Sequence, residues 1–472
     1  MKGIVMVDIF SPFHGNYLSH QARNAYGCAI VNVLSSYLCG YLVQEEAEEE
    51  NNTNDETQRY LQARIPLSKE EAYQWFSNLP SNLDIVGIHC ESDSGLEDSE
   101  KLGVWIHSFQ QQQQRNNNKN MNNYYNTWNP ARRDKFQMIQ QTTTNKNYPI
   151  ISTMKQCLCT TMEEAIHFYS SIQPCNVILK PTRGVASDGV HLCKTKEELI
   201  VAFQKVHESP VFGSIQKTND AVLLQEYIGG TEYAVDVISK GGQHKIAAIW
   251  KYDKRSTSWG APFVYYATQL ISSDNNDEEA EMAANYVIHH VLNALNVQWG
   301  MSHTEVKVVT EQMNNKRHCQ LIEVNCRQHN TDFAPMANIC IGYNALDMLL
   351  AAYLDPPTYT SGEEEEEVLS WDDIPVYPTL RFQGTIVHLV CYSSGIVNEI
   401  QHMETIQELA SFVTMEIYPK FLPSSLVEKT IDIRSDAGWI HLINSDENQL
   451  QQDYDTITSL MPTMFITSEL EQ

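Results

Sequence analysis

Short apolar runs alternate with stretches of helical spacing along the first third of the chain. Residues 3–8 (GIVMVD), 29–34 and 84–89 (DIVGIH) are compact runs rich in Ile and Val, and they read as buried strands. Residues 17–26 have helical spacing between the first two. Strands separated by helix-length segments predict a parallel sheet. The turn after the first strand is SPFHGN, with one glycine, which is too few for a dinucleotide-binding turn. Residues 110–126 (QQQQQRNNNKNMNNYYN) are low-complexity and read as a flexible insertion.

From about residue 130 the pattern is more regular. Thr161 and Glu164, and again Thr195 and Glu198, have the spacing of a capping box, in which a hydroxyl caps the helix end and the Glu reaches back. Ala165, Phe168, Tyr169 and Ile172 follow the first box on one face. Leu199, Ala202, Phe203 and Val206 follow the second. Between them lie a strand, 176–180, and a loop, 181–190 (PTRGVASDGV). Residues 223–226 and 233–239 read as strands flanking the turn IGGT. Met282, Tyr286, Ala283, Val287, Val291 and Leu295 have helical spacing and read as core packing. Residues 305–309 and 320–325 read as paired strands of a hairpin. In 370–472, residues 384–392 and 430–444 are strand-rich, Asp436-Ala437-Gly438 supplies a turn, and 446–461 reads as a helix. There is no internal repeat.

Composition narrows the class. With 472 residues, 42% of them hydrophobic, the chain has material for two or three cored domains. Its formal charge of −27 argues against a general grip on nucleic-acid phosphates. Residues 45–56 hold seven carboxylates and 363–367 five more, and both runs read as solvated loops. The eleven cysteines include one close pair, Cys157 and Cys159, without a His or Cys partner at zinc spacing. Reduced thiols, no signal peptide and no membrane-length apolar stretch predict a cytoplasmic protein with no membrane partner.

Four features could carry chemistry. The loop 181–190 follows a strand ending in Lys180. Gly184 and Gly189 permit close backbone approach, and Ala186 and Ser187 leave amides exposed, a form suited to phosphates. The segment 225–232 (QEYIGGTE) offers extended backbone of the kind that reads an adenine edge, with Glu232 placed for ribose hydroxyls. Glu323 and Asn325 share one strand face, and Glu305 stands on the paired strand. These three oxygen ligands meet at one place and suit Mg²⁺, which takes a few carboxylates plus phosphate oxygens. Arg327, two residues beyond Asn325, could stabilise charge on a moving phosphoryl group. Read singly, the loop is an ordinary strand-to-helix turn, 225–232 an ordinary hairpin, and Arg327 an ordinary surface residue.

In order and content these pieces resemble the ATP-grasp superfamily. The matching runs are ARRDKFQM (131–138), NVILKPTRGVASDGV (176–190), LLQEYIGGTEYAVDV (223–237), SHTEVKV (302–308) and LIEVNCR (321–327). The set is most similar to the carboxylate–amine ligases, the group that includes dipeptide-forming L-amino acid ligases. GTIVHLV, SSGIV and TIDIRSDAGWIHLI resemble their last lobe. The resemblance implies an α/β chain with a Rossmann-like preATP-grasp domain over 1–125, an ATP-grasp core over 126–355 and a C-terminal α/β lobe over 370–472. It implies that Lys135 and Lys180 contact ATP phosphates and that 182–189, with Gly184 and Ser187, is the phosphate lid. It assigns adenine to Glu226 and Ile228, ribose to Glu232, Mg²⁺ to Glu305, Glu323 and Asn325, and charge stabilisation to Arg327.

The expected reaction joins a carboxylate to an amine through an acyl phosphate, on amino-acid-like small molecules, in a homodimer. The competing readings are an ATP-binding regulator without turnover and an ATP-grasp carboxylase. Gln328-His329-Asn330-Thr331-Asp332 replaces the glycine-containing turn that many such ligases have after the Arg. His303 and His329 are the candidates for the base that takes the amine proton.

Overall fold

The computed structural model describes residues 1–9, 12–40, 63–114, 124–145, 154–184, 187–214, 217–272, 277–311, 315–329, 333–356 and 368–468. Both acidic runs, and residues 115–123 of the Gln/Asn tract, lie outside the described residues. The first strands are β1 (Lys2–Val7), β2 (Ala29–Leu34), β3 (Ala63–Arg64) and β4 (Asp84–Cys90). They form a parallel sheet in the order β3-β2-β1-β4, with the helix Pro12–Tyr26 crossing from β1 to β2.

The low-complexity reading of 110–126 needs correction at both ends. The helix Leu96–Gln114 runs through the glutamines, because glutamine is a good helix former. The Gln110 side chain donates to the Ile85 carbonyl at 3.0 Å. At the far end Tyr125 is buried and donates to the same carbonyl, and the Asn126 amide donates to Trp299 O at 2.8 Å.

The strands β5 (Gln156–Cys159), β6 (Val177–Lys180), β7 (His191–Cys193) and β8 (Val222–Glu226) make an antiparallel sheet in the order β5-β8-β6-β7. Helices Met162–Ser171 and Lys196–Val206 pack on it, and both begin with complete capping boxes at Thr161/Glu164 and Thr195/Glu198. Ala165, Leu199, Ala202, Phe203 and Val206 are in their shared core, while Phe168 is only partly buried.

The remaining strands are β9 (Thr231–Lys240), β10 (Gln243–Arg255), β11 (Val264–Leu270), β12 (Trp299–Thr310), β13 (Arg317–Asn325), β14 (Gln383–His388), β15 (Gly395–Ile400), β16 (Phe412–Ile417), β17 (Leu426–Val427), β18 (Gly438–Asn444) and β19 (Phe465–Ser468). Eight of them form one sheet in the order β13-β12-β9-β10-β11-β14-β18-β16, antiparallel throughout. Three strands of the last hundred residues, β14, β18 and β16, therefore continue the central sheet through the β11–β14 pairing, while β15, β17 and β19 form a separate antiparallel sheet. The stretch expected as strand over 430–444 is a turn at Ile433–Ser435 followed by β18. Asp432 caps that turn and takes its amides out of any ladder. The helix Glu278–Tyr286 continues through a π turn, Val287–Val291, and Ala283, Val287, Val291 and Leu295 are all fully buried.

A buried ion pair ties the helix Leu96–Gln114 to the turn Pro130–Arg132. The Arg132 guanidinium donates to both oxygens of Glu100 at 2.7 Å, a bidentate geometry, and to Leu295 O at 2.8 Å. It fixes the chain just before the helix Lys135–Thr144, whose N-cap is Asp134.

Candidate functional site

The four- and eight-stranded antiparallel sheets and the end of β4 enclose a cavity of about 960 Å³, at the upper end for small-molecule sites. All eleven residues singled out from the sequence line it: Lys135, Lys180, Gly184, Ser187, Glu226, Ile228, Glu232, Glu305, Glu323, Asn325 and Arg327.

Strand register sets the acidic centre. Glu305 on β12 and Glu323 on β13 are direct cross-strand partners. Like charges in that position repel, and here both are held as carboxylates. Burial would raise both, but cations outweigh it. For Glu323 the dominant cation is Lys135, at 2.7 Å; for Glu305 it is Lys254, with His303 beside it. Asn325 donates to Glu323 at 2.9 Å, which leaves its own amide oxygen as an acceptor. Two ionised carboxylates and an amide oxygen facing one cavity are a hard-oxygen set that fits Mg²⁺.

The cations around this centre differ in state. Lys135 opens its helix, its backbone N–H donates to Thr182 O, and its ammonium also donates to Gly184 O at 2.9 Å. It therefore ties the acidic centre to the loop. Lys180, at the end of β6, is pushed down to about 8 by burial and by Lys135. Among the described residues no carboxylate lies within ion-pair distance of it, though Glu323, Glu305 and Glu232 attract it from farther off, and phosphate would supply a close partner. Arg327 donates through Nε to Asp93 at 2.6 Å and through a terminal N–H to Gln328 O.

The linker after β8 is shaped by Gly230. Its φ is +112°, and a Cβ there would lie 2.3 Å from Val308 O. That close approach lets Lys307 reach the Ile228 carbonyl at 3.1 Å. Glu232 is paired with Lys254 and, at 3.5 Å, with Lys307. A ligand hydroxyl at Glu232 would compete with those lysines. The loop residue Ser187 has φ of 62° and Gly189 of 67°, and Asp188 pairs with Arg434 at 3.0 Å.

Sequence reasoning missed several groups that line this cavity or stand behind its wall. Asp93 sits just beyond β4, at the carboxyl end of a parallel strand where ligand crevices form. Lys307 is two residues after Glu305, so the strand period already placed it on the same face. Tyr252, Lys254 and Tyr265 come from β10 and β11, with Lys254 4.5 and 4.3 Å from the two ring centroids. Asp236 is a lone acid inside the apolar run of β9. It accepts from Trp250 Nε1 at 2.7 Å, His303 Nδ1 at 2.9 Å and His329 Nδ1 at 3.1 Å. The two imidazoles respond differently. Burial disfavours charge on both, but Asp236 and Glu305 carry His303 up to about 9, while His329, facing His303, falls to about 4.

Comparison with known proteins agrees with this geometry. Residues 173–334 match the family model described as the ATP-grasp domain. Dapdiamide A synthase of Enterobacter agglomerans is 23% identical over 323 residues, 68% of this chain and 69% of that protein. The L-amino acid ligase of Bacillus licheniformis superposes with a TM-score of 0.61 at 14% identity, covering 99% of each chain. The N5-carboxyaminoimidazole synthase of Aspergillus clavatus, solved with ADP and an aminoimidazole ribonucleotide, gives 0.56 at 12% identity, covering 97% of this chain and 98% of that one. Fold and site define an ATP-grasp protein. Its similarities include carboxylate–amine ligases, the dapdiamide A synthase in sequence and the L-amino acid ligase in fold.

Proposed function

We propose that the carboxylate and the amine are both small amino-acid-like molecules, joined as an amide through an acyl phosphate. The observation that carries this reading is the single cavity that gathers a linker, two lysines, a cross-strand pair of acids, an amide and an arginine. The names of the two relatives above, a dapdiamide synthase and an L-amino acid ligase, support amino-acid-like substrates.

In this reading ATP lies between the two antiparallel sheets, with adenine at Glu226–Ile228 and ribose at Glu232. Lys135 and Lys180 hold the phosphates. Glu305, Glu323 and Asn325 would hold Mg²⁺, which when bound neutralises phosphate charge. Arg327, steered by Asp93, stabilises the phosphoryl group as it passes to the substrate carboxylate. Attack by the amine then expels phosphate and leaves the amide. Holding the two substrates in line is the larger part of the catalysis.

The test is ADP release from Mg-ATP against the twenty common L-amino acids, singly and in pairs, with and without bicarbonate. ADP release that requires an amino-acid pair, with a dipeptide found by mass spectrometry, is expected. Release that depends on bicarbonate, or on ATP alone, would contradict the reading.

A further inference from the structure

The amine that attacks an acyl phosphate must shed protons, and the cavity holds two imidazoles that could take one. Their hydrogen bonds separate them. His303 turns Nδ1 to Asp236 at 2.9 Å and Nε2 to Glu305 at 3.5 Å. Each His303 nitrogen thus faces a carboxylate, one of which belongs to the metal set. His329 turns Nδ1 to Asp236 at 3.1 Å and Nε2 to the Tyr252 hydroxyl at 3.1 Å. Its Nδ1 must donate to the carboxylate, so Nε2 bears the lone pair and the Tyr252 O–H donates to it. The ring cannot turn freely. It stacks on Phe333 at 3.6 Å between centroids and lies 3.8 Å from the His303 ring. Tyr252 and His329 both line the cavity, beside Glu305, whereas Asp236 lies behind them.

The geometry points to Tyr252 and His329 as the proton-accepting pair for the amine substrate, with Asp236 as the residue that positions His329. This rests on the ligase reading above. The amine enters unprotonated and forms the N–C bond. Its nitrogen is acidic in that adduct, and it gives one proton to the Tyr252 oxygen as the Tyr252 proton passes to His329 Nε2, with the imidazolium held by Asp236. The C–O bond to phosphate then breaks with its electron pair going to phosphate, and the phosphate takes the proton from His329 as product leaves. Among the described residues, the ionisable groups facing His329 are Asp236 on β9, Tyr252 on β10, and His303 and Glu305 on β12. Phe333, on the helix Phe333–Cys340, is uncharged. His329 belongs to the segment that replaces the glycine turn of many such ligases, so this base would be particular to chains that carry it.

The pair is tested with Tyr252→Phe and His329→Gln, each checked for an unchanged melting temperature. Each is assayed with Mg-ATP and a mixture of the twenty common L-amino acids, with and without hydroxylamine. Hydroxylamine is unprotonated at neutral pH and captures an acyl phosphate without a base, giving a hydroxamate. The expected result is a fall in the dipeptide-to-hydroxamate ratio of roughly 100-fold or more in both variants, the range of general-base catalysis. The pH dependence of dipeptide formation should also steepen toward that of the free amine. An unchanged ratio would overturn the assignment, whether both products persist or both fall together. Absence of hydroxamate from the unsubstituted protein would instead count against the acyl phosphate itself.

Discussion

At the scale of single residues the site is a balance of buried charges, and removing one member should expose the rest. Glu323→Gln leaves Lys135 without its carboxylate partner at 2.7 Å and takes one oxygen from the Mg²⁺ set. ADP release should fall by about 100-fold or more, since metal-supported charge stabilisation is worth several kcal/mol. The melting point should change little, because an amide still fits the space. Normal ADP release from the folded variant would remove Glu323 from the metal site. Lys180 gives a pH dependence. With its value lowered to about 8, it is a cation below that pH and neutral above it. The Kd for ATP should therefore weaken as pH rises through 8, and Lys180→Met should bind weakly with a flat profile. Calorimetric titration across pH 7 to 9 checks both. The acid–amide pair was legible in the sequence because strand period puts Glu323 and Asn325 on one side, whereas Arg327 lies beyond the end of β13 and reaches the cavity from the bend that follows. Asp236 was not legible, because one acid in an apolar strand gives no periodic signal, and its three N–H donors come from three other places in the chain.

At the scale of elements, the readable parts were those with local chemistry. Thr161/Glu164 and Thr195/Glu198 announce helix starts within four residues, and the helices begin there. The strands β10 and β11 were unreadable for a physical reason. Trp250, Tyr252 and Lys254 share a face, and Lys254 is half-buried there against Glu232 and two tyrosine rings. A pattern that counts lysine as solvent-facing misses such a strand. The glutamines at 110–114 were misread in the opposite sense, since low complexity hid a good helical composition. The turn before β9 gives the prediction for this scale. Gly230→Ala puts a Cβ 2.3 Å from Val308 O at a φ of +112°. It should cost on the order of 1–3 kcal/mol, as backbone strain does, and raise the Kd for ATP by displacing Ile228. Urea unfolding and nucleotide titration of the same variant measure the two effects. An unchanged Kd would mean that the linker does not touch the nucleotide.

At the scale of the whole molecule, the loop after β4 and the four- and eight-stranded antiparallel sheets all contribute to one cavity, so stability and function share residues. Strands β14, β18 and β16 extend the central sheet, which makes the last segment part of the structural frame. The parallel sheet of β1, β2 and β4 was legible from its β-branched runs. The pairing of β11 with β14, over more than a hundred residues of chain, was not, because nothing local encodes it. Among the described residues, no helix is long and apolar enough to cross a membrane, and all eleven cysteines are free. Acid stability should depend on the frame as well as the site. His441 on β18 is buried, its Nε2 lacks a hydrogen-bond partner, and burial together with His388 pushes it down to about 4. Unfolded, it would titrate near 6.5. The unfolded chain therefore binds a proton that the folded chain refuses, and stability falls as pH drops from about 6.5 toward 4. His441→Asn should flatten that part of the urea-unfolding profile, and an identical slope would show that His441 does not carry it.

The central claim is that ATP transfers a phosphoryl group to a carboxylate held beside Glu305, Glu323 and Arg327. Oxygen tracing tests it most directly. The protein is incubated with Mg-ATP and the twenty common L-amino acids, each labelled with ¹⁸O in its carboxylate, and the released phosphate is analysed by mass spectrometry. The account predicts one ¹⁸O in the phosphate for every dipeptide formed, with ADP as the nucleotide product. Dipeptide or ADP formed with unlabelled phosphate, or AMP and pyrophosphate in place of ADP, would contradict it.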